Sequence, residues 1–139
     1  MIRQGFHIGN RNWWVMVYYD VQPHNLTEIE GVLLASGVSR EQAEEAIDNL
    51  QYPNTGFTLT DYKGKSSVII VSHATSAEQM FDTIVHEIKH LTEHISNYYD
   101  LDPKEELSAY LQGEVGRQMW CAASMVLCPH CNHKLQNNN

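Results

Sequence analysis

The segment best suited to chemistry by residue type and spacing is His86-Glu87-Ile88-Lys89-His90. On a helix, two histidines four residues apart share one face, roughly 6 Å apart along the axis. That spacing lets both imidazoles reach one zinc ion. Glu87, beside the first ligand, is then placed to take a proton from a metal-bound water. The motif has only three fixed positions, so its surroundings must carry the argument.

Those surroundings read as a helix. Phe81, Ile84, Val85, Ile88, Leu91 and Ile95 recur at spacings of three and four, which predicts an apolar stripe against a core. Ser76 with Gln79, or equally Thr75 with Glu78, suits a capping box at its start. No Gly or Pro interrupts residues 76–97, and Asn97-Tyr98-Tyr99-Asp100 suits its end.

Catalytic zinc takes three protein ligands and keeps one position for water. Downstream, Asp102 as N-cap, Pro103 at the first helical position and Glu105 at the third start a second helix. With Glu105 folded back on the Asp102 amide, Glu106 is the expected third ligand. Glu105 is its main competitor, and Glu114 lies two turns further on. His94 continues the row of His86 and His90, but the outer two are about 12 Å apart along the axis, too far to share one ion. His94 is therefore expected to be solvated or to support a ligand.

His86-Glu87-x-x-His90 followed by Glu106-Leu-Ser-Ala-Tyr110 resembles the gluzincin branch of zinc metallopeptidases. It is especially similar to small peptidase-like proteins of bacteria and their phages, over roughly residues 56–127. The resemblance implies a zincin-like fold, a Zn2+ ion held by His86, His90 and Glu106, and Glu87 as general base. It also implies a peptide or protein substrate that pairs with an exposed strand edge above the metal.

Composition limits the alternatives. One domain of 139 residues, 42% hydrophobic, is ordinary for a globular protein. A net charge of −8 argues against nucleic acid as a partner. No apolar run is long enough for a spanning helix, and Met1 to Asn12 lacks the apolar core of a signal peptide. A cytoplasmic location is expected, with no membrane partner. The three cysteines all follow residue 120 and make no disulfide framework. Cys121, Cys128, Cys131 and His133 have the residue types of a second metal site, but a single Cys-x-x-Cys pair is weak support. The tail, 128–139, is expected to lie outside a single domain spanning 1–127.

The elements that must position the motif follow. Residues 12–21, rich in aromatic and β-branched side chains, predict a strand. Trp13 and Trp14 cannot both face its core side. Residues 26–36 and 39–50 predict two short helices separated by Gly37. Residues 57–62 and 66–72 predict a hairpin around Lys63-Gly64-Lys65, and Val68-Ile-Ile-Val71 leads to the metal helix. Helical pattern resumes from Pro103 into the Cys121 region, with Gly113 and Gly116 allowing close packing. The expected fold class is α+β, a small antiparallel sheet against the motif helix and the following glutamate-bearing helix.

The chemistry this predicts is zinc-dependent hydrolysis of peptide bonds through a metal-activated water. His73, Tyr98, Tyr99 and Tyr110 are candidates to stabilise the oxyanion, with none singled out. The alternative is a non-catalytic, zinc-containing binding or regulatory protein, or an enzyme restricted to one partner protein.

Overall fold

A computed structural model describes residues 1–102 and 104–127. Among the described residues four strands and four α-helices follow one another in pairs: β1 (Ile2–Ile8), β2 (Trp13–Val21), α1 (Leu26–Ala35), α2 (Arg40–Leu50), β3 (Gly56–Asp61), β4 (Ser66–Ser72), α3 (Ala77–Tyr98) and α4 (Glu106–Leu127). The class is α+β, as expected.

The sheet differs from the expected one. Its order is β1-β2-β4-β3, and it is mixed rather than antiparallel. β1 pairs with β2 and β3 with β4 in antiparallel fashion, but β2 and β4 run parallel, with Val17 opposite Ile69. A parallel pair needs a long crossover, and α1 and α2 form part of it. β1 was not anticipated. Arg3, Gln4, Gly5 and His7 dilute its β signal, and its place is set by pairing with β2.

Helices cover both faces. Val15, Val17, Ile69 and Val71 join Ile84, Leu91, Ile95, Val115 and Met119 in one apolar cluster, beneath α3 and α4. Tyr18, Val68 and Ile70 join Leu26, Ile29, Leu33, Ala46 and Leu50 in another, beneath α1 and α2. Alternate residues of β4 thus enter opposite cores, which is why Val68 to Val71 is continuously apolar. Trp13 is fully buried and Trp14 is 59% exposed, as strand alternation demands.

The caps that aim α3 are local. The Ser76 hydroxyl accepts from the Gln79 amide at 3.1 Å. Thr75 does not cap; its amide donates to Asn54 Oδ1. Ahead of α4, the Lys104 amide donates to Asp102 Oδ1 at 2.9 Å, so Asp102 caps a turn and the helix starts at Glu106. Pro103 and the tail residues Cys128, Cys131 and His133 lie outside the described residues.

Candidate metal centre

Helical spacing places His86 and His90 one turn apart on α3, and their Nε2 atoms meet at 3.0 Å. One ring N–H donates to the other nitrogen. Both rings reach solvent, while Glu87 between them is only 3% exposed. One ligand atom from each of His86, Glu87 and His90 lies within 4.8 Å of the other two.

The donor set fits a metal ion. Two nitrogens about 2.0–2.1 Å from one tetrahedral zinc stand about 3.3 Å apart, close to the separation the histidines already hold. The Glu93 carboxylate lies 3.9 Å from Nδ1 of His90, on the ring nitrogen not facing His86. A carboxylate there favours the tautomer that keeps the Nε2 lone pair for a ligand.

β3 fixes the glutamate. The Thr58 hydroxyl donates to Glu87 Oε2 at 2.5 Å. Gly56 lies under the same side chain, where an added Cβ would meet Glu87 Cγ at 2.8 Å. This glycine is needed for close approach, not for an unusual backbone angle. Beside it a polar cavity of about 270 Å³ opens, lined by Asn49, Asn54, Thr55, Asp82, Thr83, His86 and Glu87. Sequence reasoning did not reach Gly56 or Thr58. The turn at 52–56 marked a strand start but not what that strand would face.

His94 is not part of the group. Its Nδ1 pairs with Thr60 Oγ1 at 2.8 Å, and its ring lies 6.2 Å from that of Tyr62. Burial holds its pKa below the usual histidine value, with His90 adding to the effect and Glu93 opposing it.

Glu106, the expected third ligand, is not brought to the histidines. It is exposed at the start of α4. α4 lies along the flank of α3 that carries Phe81, Ile84, Val85 and Ile88, whereas Glu87 faces β3. The Ser96 and Ser108 hydroxyls meet at 2.6 Å, and this register sets Glu106 near the C-terminal end of α3. Ten residues of helix, roughly 15 Å, separate Ser96 from His86. Glu105 precedes α4 at the same end, and Glu114 lies beside Arg11 and Tyr110. Gly113 and Gly116 line an open apolar groove of about 480 Å³ between α3 and α4 instead of a tight contact. Phe81 and Val85, expected in the core, are exposed at that groove.

None of the oxyanion candidates lines the cavity at Glu87. Tyr98 and Tyr99 pack against Trp13, and Tyr110 is 70% exposed on α4. His73 is held at the end of β4, its amide donating to the Val21 carbonyl at 2.9 Å. Among the described residues no helix is long and apolar enough to cross a membrane.

No protein family, no curated protein and no solved structure matches this chain.

Proposed function

We propose that this chain is a zinc-dependent, metallopeptidase-like hydrolase in which His86 and His90 hold the metal and Glu87 is the general base. One observation carries the reading. A buried carboxylate, fixed by Thr58, shares a 4.8 Å neighbourhood with two converging, solvent-reachable imidazoles. A group that only decorated a helix face would have no need of that second fixation.

When bound there, zinc supplies Lewis-acid activation of a water and of the scissile carbonyl. The chain's own residues do the rest. Thr58 occupies one oxygen of Glu87. The other has no hydrogen-bond partner among the described residues and can take the proton of the attacking water. Glu87 then returns that proton to the leaving amine. β3 pairs on one side only, with β4, so its free edge can receive an extended peptide by main-chain hydrogen bonds.

A second reading is a metal-containing binding or regulatory protein without hydrolysis. It is favoured by the absence of His73, Tyr98, Tyr99 and Tyr110 from the cavity and by the position of Glu106 away from the histidines. Replacing Glu87 by Gln separates the two. Metal and fold persist under both readings, and function is lost only where hydrolysis is the function.

A further inference from the structure

Acidic residues dominate this chain, 17 against 9 Lys and Arg, yet two cations lie over one tyrosine ring at one end of the sheet, with no ion pair to either among the described residues. The Arg11 guanidinium lies 4.9 Å from the centre of the Tyr99 ring. The Lys65 ammonium lies 5.5 Å from the same centre and 5.6 Å from that of Tyr98. Among the described residues the ion pairs join Arg3 to Glu28 and Glu93 to Lys89 and His90, leaving Arg11 and Lys65, like Arg40, Lys63, Lys104 and Arg117, without one. Ring faces hold each cation, and Glu114, which lines the same small cavity as Arg11, does not pair with it.

Backbone contacts, not charges, bring them together. The Tyr99 hydroxyl donates to the Arg11 carbonyl at 2.6 Å. The Trp14 amide donates to the Lys65 carbonyl at 3.0 Å, and Lys65 ends the β3–β4 turn at φ 50°. Neither contact uses the charged group itself. Beside them the rings of Tyr62 and Tyr98 lie nearly parallel, centres 6.4 Å apart, and each is 43% exposed.

The patch continues the line of the metal centre. Along β3, Thr58 meets Glu87 and Thr60 meets His94. Tyr62, just past the strand, meets His94 and Tyr98. At about 3.3 Å per residue the patch lies roughly 13 Å from Glu87, some four residues of extended peptide. α3 ends here, and a helix C-terminus offers carbonyls rather than the N–H cradle that holds a free phosphate. An anion at this place must be anchored by the rest of its own chain, which strand pairing along β3 can do.

We infer that Arg11, Lys65 and the rings of Tyr62, Tyr98 and Tyr99 form a subsite for an acidic side chain of a peptide seated along β3. This rests on the proposed reading of β3 as the peptide-binding edge, not on hydrolysis.

Fluorescence anisotropy with three labelled peptides, alternating Ala with Glu, Gln or Lys, tests it. Wild type should bind the Glu peptide about three- to tenfold more tightly than the Gln peptide, and the Lys peptide least. Arg11→Glu/Lys65→Glu should reverse the order, a gain for the Lys peptide that an unfolded variant cannot produce. His86→Ala should keep the wild-type preference, so loss of the metal reading is distinguishable from failure here. Equal affinities, no binding, an unreversed order in the double variant, or readier displacement of the Glu peptide by ATP than by its unlabelled copy overturns the inference.

Discussion

Gly56 and Glu87 are packed so closely that a Cβ on the glycine would stand 2.8 Å from Cγ and 3.0 Å from Cδ of the glutamate. The edge strand therefore dictates where the carboxylate sits. Gly56→Ala should push Glu87 off Thr58 and cost about 1–3 kcal/mol, the range for overpacking a tight contact. Urea unfolding measures this loss. Zinc binding through His86 and His90 should survive, because α3 alone sets the spacing of the two imidazoles.

Glu87→Gln preserves shape and leaves an amide oxygen to accept from Thr58. The melting temperature and zinc content should match wild type. Hydrolysis should fall by about 10²–10⁴-fold, the usual contribution of a positioned general base. Undiminished activity in this variant would remove the enzymatic reading.

Glu106 sits with the C-terminal end of α3, away from the histidines. Glu106→Ala should accordingly leave zinc affinity within about twofold of wild type, as for a surface substitution remote from the ligands. His90→Ala should abolish binding. Isothermal titration with zinc distinguishes these outcomes. Loss of zinc on Glu106→Ala would mean that α4 docks differently around the ion.

Asp20 gives a pH-dependent test of the fold. Burial raises its pKa above the usual carboxylate value, against the opposing influence of the N-terminus, His73 and the Gln22 amide. An acid whose pKa is raised on folding binds its proton more firmly in the native state. Its contribution is full below the unfolded value and is lost as pH rises through the folded one. Asp20 also adopts φ 56°, a conformation that Asn tolerates well. Asp20→Asn should therefore raise the melting temperature at pH 7, with the gain shrinking towards pH 3. A gain that grows on acidification would reverse the sign of this argument.

His86, Glu87 and His90 were legible because adjacency and a four-residue helical spacing fix their relation within one element. The class, α3 with its Ser76 cap, and the burial of only one of Trp13 and Trp14 were legible for the same local reason. Long-range pairing was not. Residues 13–21 and 66–72 are separated by two helices, a pattern of parallel crossover, but the intervening β3 also reads as half of a simple hairpin. The partners Glu87 finds on β3, Gly56 and Thr58, depend on that pairing. The position of Glu106 depends on the register of α4 on α3, set by Ser96 and Ser108, which no motif encodes. The second metal site suggested by Cys128, Cys131 and His133 lies outside the described residues.

Elemental analysis of the tag-free protein, repleted with zinc and dialysed, addresses the central claim most directly when run beside His86→Ala. About one zinc per chain in the wild type, absent from the variant, is the result expected of a two-histidine centre on α3. No zinc in the wild type, or the same amount in His86→Ala, would contradict it and reduce residues 86–90 to a charged helix face.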